Sequence, residues 1–166
     1  MTSSTSTGTA VVTLPSDTTI LITREFNAPK KSLVWRAYTE PELIKRWWAG
    51  EKGEVTLVES DFRVGGRWRQ VMVAGPGFEV GFNGEFREIV DLEKIVCTET
   101  FEGMPDAYSV NTITFAESGG RTTLTMLIEH TEAAHRDAHI DSGMEEGMQG
   151  RWTRSSGWRP ACGRRL

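Results

Sequence analysis

Cysteine is scarce in this chain, with only Cys97 and Cys162, and the two stand at no metal or redox spacing. That excludes the usual cysteine-based metal and redox motifs and suits a reducing compartment, so a cytoplasmic location is expected. Long apolar runs are missing too. None approaches the roughly 20 residues that a membrane-crossing helix needs. The Ser/Thr-rich start Met1–Ala10 lacks the basic opening and apolar core of a signal peptide. There is no excess of positive charge: the formal net charge is -4, which argues against a nucleic-acid partner. Nucleophile signatures are absent, since there is no Gly-x-Ser-x-Gly and neither cysteine has an evident histidine partner in sequence. Gly65-Gly66 and Gly75-Pro76-Gly77 precede no helix at phosphate-loop spacing, so both read as turns.

What is present is the composition of one globular domain. Residues 1–16 carry little that would repay the entropy of ordering them, and a flexible N-terminal arm is expected there. From Thr18 to Phe26, Ile20, Ile22, Arg24 and Phe26 alternate with Leu21, Thr23 and Glu25, which predicts a first strand. After the break at Asn27-Ala28-Pro29, Leu33, Val34 and Ala37 have helical spacing over Lys30–Thr39. A second short helix then starts at Thr39-Glu40-Pro41-Glu42, with Thr39 as candidate cap and Pro41 in the first turn.

Six further strands are expected at about 54–60, 66–74, 78–90, 94–102, 108–116 and 121–130, separated by short Gly, Pro and Asp turns. Connections this short imply antiparallel meander pairing. Val80, Phe82, Gly84 and Phe86 share one face of their strand, and Glu79, Asn83, Glu85 and Arg87 share the other. Beyond His130, Ile140, Met144 and Met148 fall at four-residue spacing, the stripe of a helix laid across a concave sheet.

This order of elements resembles the START-like (SRPBCC) helix-grip superfamily. Arg24-Glu25-Phe26-Asn27-Ala28-Pro29, Val34-Trp35-Arg36-Ala37, Thr39-Glu40-Pro41-Glu42 and Arg46-Trp47-Trp48 resemble the opening blocks of the family named after the activator of the heat-shock protein 90 ATPase. Asp61-Phe62-Arg63-Val64-Gly65-Gly66-Arg67-Trp68, Gly84-Glu85-Phe86-Arg87-Glu88-Ile89 with Lys94-Ile95-Val96, and Gly120-Arg121-Thr122-Thr123-Leu124-Thr125 follow in family order. Gly143-Met144-Glu145-Glu146-Gly147-Met148 is similar to the start of its closing helix. The resemblance implies an α+β helix-grip domain over residues 17–150, a curved antiparallel sheet around a long C-terminal helix, with an internal cavity. It also brings a chaperone partner into view, although the chaperone-stimulating half of the eukaryotic co-chaperone has no counterpart in this sequence.

Trp47, Trp48, Trp68, Met72, Phe82, Phe86, Met126, Ile128, Met144 and Met148 are the residues expected to line that cavity, since aromatics and methionines adapt to bulky apolar ligands. The bland counterpart is that they form a filled core. His130, His135 and His139, with Glu132, are the only metal-like cluster, and they lack a metalloprotease arrangement, so no metal is assigned. Glu99 with His130 is a conceivable acid–base pair, and Arg67, Arg69 and Arg87 are candidates for an anionic ligand group.

Residues 151–166 depart from the pattern. The stretch is basic, holds Trp152 and Trp158, and has no apolar periodicity. A frameshift that replaced the native helix end would explain it; a basic tail for an anionic partner is the alternative. A shortened helix would favour a homodimer or marginal stability. The leading expectation is a non-catalytic module for a small apolar or amphipathic ligand, with no cofactor and no catalytic residues assigned. The alternatives are a cyclase-like or hydrolytic enzyme using the cavity, which needs an ionisable group inside it. A co-chaperone-like interaction module would instead need an exposed apolar patch at Trp47 or Trp48.

Overall fold

Along Thr19–Phe26 every second side chain, Ile20, Ile22, Arg24 and Phe26, is buried, and this alternation recurs on the neighbouring strands. A computed structural model describes residues 4–7, 10–26, 30–49 and 53–141. The chain opens with β1 (Ser4–Thr7), β2 (Ala10–Thr13) and β3 (Thr19–Phe26). Two short helices follow, α1 (Lys31–Thr39) and α2 (Pro41–Trp47). A meander then runs through β4 (Gly53–Ser60), β5 (Arg67–Ala74), β6 (Phe78–Val90), β7 (Lys94–Phe101), β8 (Tyr108–Ser118) and β9 (Arg121–His130). The last described element is α3 (Ala133–Asp141).

The strands form one antiparallel sheet in the order β1-β2-β3-β9-β8-β7-β6-β5-β4. The helices therefore carry the chain from β3 across to β4 at the far edge, and the meander brings it back until β9 pairs with β3. On the way α1 packs against β8 and β9, and α2 against β4. Register shifts between Val55 and Leu57 and between Phe86 and Glu88 interrupt the ladders. Such bulges bend a strand and increase its twist, which suits a sheet that curves around a core. This is an α+β helix-grip sheet.

The N-terminal segment differs from the expected arm. Ala10 and Val12 are buried while Val11 is exposed, and β2 pairs with β3 through Ala10↔Arg24 and Val12↔Ile22. Burying those two side chains against an existing strand offsets the ordering entropy that the polar composition alone would leave uncompensated. β1 adds a further strand beside β2. Thr39 is not the cap of α2. Its hydroxyl donates to the Trp35 carbonyl at 2.9 Å, and Glu40, paired with Arg36 at 2.6 Å, occupies the cap position with Pro41 behind it. α3 begins at Ala133 and includes Ile140, which packs on the core. The rest of the expected long helix, with Met144 and Met148, and the basic tail lie outside the described residues.

Gly84 shows how closely the inner face is packed. It stands opposite Trp68, and a Cβ there would fall on the Thr98 carbonyl oxygen and 2.7 Å from Trp68 Nε1. Any side chain at position 84 would press on the Thr98 carbonyl and on the indole. The Gly84→Ala substitution is expected to lower stability by roughly 1–3 kcal/mol, whereas Glu85→Ala, on the exposed face, should change little. Guanidinium unfolding midpoints of the two variants check this; equal midpoints would contradict the packing described.

Candidate functional site

Pairing across the sheet arranges the inward side chains in rungs. Arg24, Leu124 and Phe115 form the first, and Ile22, Met126, Ile113 and Ile95 the second. Ile20, Ile128, Asn111, Cys97 and Phe86 form the third, and His130, Ser109 and Glu99 the fourth. The inner face thus runs from a buried arginine at one end, through an apolar middle, to a polar and acidic end.

A cavity of about 110 Å³ lies between this face and the α1–α2 segment. Its aromatic wall is made by Tyr38, Trp47, Trp48, Phe62, Trp68 and Phe86. Ile44, Ile95, Ile113 and Met126 add aliphatic surface, and Thr39, Ser60, Gln70, Cys97, Glu99 and Asn111 are the remaining lining residues. The rings brace one another: Tyr38 and Trp47 lie 4.7 Å apart between centroids, and Phe62 meets Phe86 edge-on at 5.1 Å. Trp47 is also pinned, since its Nε1 donates to the Ala37 carbonyl at 2.8 Å. Trp68 Nε1 is different. It is buried and has no hydrogen-bond partner among the described residues.

Cys97 projects into the cavity wall from β7 as a free thiol. Burial, and then the charge of Glu99, push its pKa up to about 12. A thiol held protonated in this way is a poor nucleophile. Ser109 Oγ donates to Asn111 Oδ1 at 3.0 Å, which ties the third and fourth rungs together.

Of the ten residues expected from sequence, Trp47, Trp48, Trp68, Phe86 and Met126 lie in the wall. Met72 is buried opposite Val55 and Val80, and Ile128 is packed between Ile20 and Asn111; both fill core outside the cavity. Phe82 sits between Trp48 and Phe101, with centroids at 5.6 and 5.4 Å. Met144 and Met148 fall outside the described residues. The set expected from sequence to line the cavity leaves out Tyr38, Thr39, Ile44, Ser60, Phe62, Gln70, Ile95, Cys97, Glu99, Asn111 and Ile113, which also line the wall. Period-two alternation with Ile95 and Phe115 was the available signal for the residues of β7 and β8.

Several other sequence expectations are corrected by the geometry. Trp47 and Trp48 are buried, at 7% and 8% exposure, so neither presents the surface aromatic that an interaction module would use. Arg69 faces outward, where it pairs with Glu102 at 2.6 Å beside Asn83; Arg67 and Arg87 are exposed on that same outer face. No anion in the cavity would meet them. Glu99 and His130 share a rung two strands apart, about 10 Å between backbones at ordinary strand spacing, and the His130 ring is engaged with another histidine rather than with Glu99.

His130 instead meets His139 of α3, Nε2 to Nδ1 at 3.0 Å, while His135 turns to Thr131 at 3.3 Å. Among the described residues no group of three or more His, Cys, Asp or Glu side chains is placed to hold a metal. At the opposite end Arg24 is 3% exposed, lies 5.3 Å from the Phe26 ring centre, and leaves Nε and Nη1 without partners among the described residues. It does not line the cavity.

Burial, followed by the charges of His135 and Arg136, holds the His130 pKa below the usual imidazole value. The folded protein therefore binds this proton less well than the unfolded chain, and stability should fall as pH drops below about 6.5. Proton NMR titration of the imidazoles is expected to give His130 a midpoint below that of a free histidine. An ordinary midpoint would contradict the buried contact between β9 and α3.

Residues 28–154 match the family described as Activator of Hsp90 ATPase homolog 1-like protein. No curated protein matches the chain. Among solved structures, a protein from Rhodobacter sphaeroides is similar with a TM-score of 0.82 at 22% identity, over 89% of this chain and 95% of that one. A protein from Mycobacterium smegmatis gives a TM-score of 0.79 at 26% identity, over 93% and 96% of the two chains. A protein from Chromobacterium violaceum gives 0.74 at 27% identity, over 86% and 96%. The family match spans most of the sequence and includes the helices and strands that enclose the cavity: this chain belongs to the Activator of Hsp90 ATPase homolog 1-like protein family.

Proposed function

We propose that this protein is a binding module that encloses a small, mostly apolar or amphipathic molecule in the space between the sheet and α1–α2. The observation that carries this reading is the cavity wall itself: six aromatic rings and several aliphatic side chains, interrupted by a few polar groups on adjacent rungs. That combination is the usual composition of a small-molecule site, where apolar surface supplies affinity and sparse polar groups fix orientation. Trp68 Nε1 adds to it, because a buried donor without a partner costs about 1–3 kcal/mol, and an acceptor atom on a ligand would recover part of that cost. Catalysis by Cys97 is not part of the proposal, since the thiolate is suppressed at neutral pH.

The volume limits the occupant. A single water needs roughly 10–15 Å³ in this measure, so about 110 Å³ accommodates a compact molecule and excludes a long acyl chain lying wholly inside.

Two-dimensional amide NMR with a set of small aromatic and amphipathic fragments tests the proposal. Saturable shifts are expected at Ile95, Cys97, Asn111 and Ile113, and Ile113→Phe, which fills the space, should weaken binding at least tenfold with near-UV circular dichroism preserved. Shifts scattered over the outer face, or undiminished in the filled variant, would contradict it.

A further inference from the structure

We infer that Arg24 holds a small monovalent anion, a halide or a short carboxylate, at a second site on the inner face of the sheet. The inference stands apart from the cavity reading, because Arg24 does not line the cavity. Three observations converge. First, Arg24 is the only charged residue that is buried among the described residues, and its Nε and Nη1 have no hydrogen-bond partner among them. Second, its neighbours are apolar. It stands in register between Ala10 of β2 and Leu124 of β9, both fully buried, and its Cζ lies 5.3 Å from the centre of the Phe26 ring. Third, the adjacent carboxylate in the chain serves another cation: Glu25 is exposed on the outer face, where it pairs with Arg121 at 3.2 Å.

A cation in that position is costly. Burial pushes the Arg24 pKa down, with the nearby Tyr38 working against it. A guanidinium nevertheless keeps its proton at neutral pH, so it does not escape the cost by neutralising as a buried lysine does. The face of Phe26 attracts the charge but accepts no strong hydrogen bond from Nε or Nη1. What offsets the burial is a counter-charge that accepts those hydrogen bonds, and in surroundings of low polarity such a pair attracts strongly. One buried charge calls for one opposite charge, and close packing by Ala10, Phe26 and Leu124 admits only a compact ion.

Thermal unfolding of the full chain in a buffer whose only anion is a bulky sulfonate, with sodium formate or sodium chloride added, tests the inference. The melting temperature is expected to rise by about 4 °C or more, and to level off, as one of the two salts goes from roughly 1 to 100 mM. A larger rise with formate identifies a carboxylate as the preferred ion, and a larger rise with chloride a halide. Arg24→Met should abolish the rise, whereas Arg87→Met, on the outer face, should keep it. The Met variant also subtracts screening and other general salt effects. Should that variant fail to fold, the unaltered chain still decides, since its Arg24 Nε–H NMR signal is expected to shift saturably with the same salts. An equal response of the unaltered chain and Arg24→Met, or an Arg24 Nε–H signal that neither salt moves, would overturn the inference and leave a guanidinium satisfied by water alone. Neither result bears on the fragment titration of the cavity.

Discussion

The crossing from β3 to the far edge of the sheet is the constraint on which the rest depends. Because β3 ends beside β9 and the meander begins at β4, the connection must travel over the concave face, and it does so as α1 and α2. Those helices bring Val34, Trp35, Ile44, Trp47 and Trp48 onto the inner side chains of the strands. Burial of large aromatic residues supplies much of the driving force for such a layer. Rings this size, braced edge to face by Phe62, Phe86 and Phe115, do not fill the curve of the sheet completely, and the space they leave is the cavity.

Pairing also sorts the polar groups of the inner face. Arg24 lies on one rung, with Leu124 and Phe115 beside it, and Glu99, Ser109 and His130 lie on the rung at the other end. Between them only Asn111 and Cys97 interrupt an apolar middle. Buried polar atoms are costly unless satisfied. The Ser109–Asn111 hydrogen bond and the His130–His139 contact meet part of that requirement. Trp68 Nε1, on a residue of the cavity wall, has no such partner among the described residues.

Much of the fold was legible in the sequence because the turn residues are unambiguous. Gly75-Pro76-Gly77 and Ser118-Gly119-Gly120 bracket strands whose observed limits differ little from those expected. β2 was hidden by its surroundings: Ala10, Val11 and Val12 alternate, but a Ser/Thr-rich stretch precedes them and the pairing strand lies on the other side of a turn. The cavity was legible only in part. Alternation says which face a residue occupies, not whether space is left beside it, so it does not separate Met72 and Ile128, which are buried outside the cavity wall, from Trp68 and Phe86, which line it. For the same reason Asn111 is not legible as a wall residue: an inward polar residue on an apolar strand face carries no local signal that distinguishes a site from an error in register. The long closing helix, its two methionines and the atypical tail lie beyond the described residues.

The central claim is that the space between α1–α2 and the sheet holds a molecule. Native mass spectrometry of the purified protein, set against the same sample after denaturation, tests it most directly. The account predicts a reproducible added mass that is lost on denaturation and that is absent from the Ile113→Phe variant. The same mass on both proteins, or a bare chain mass even after incubation with candidate amphipathic ligands, would contradict it.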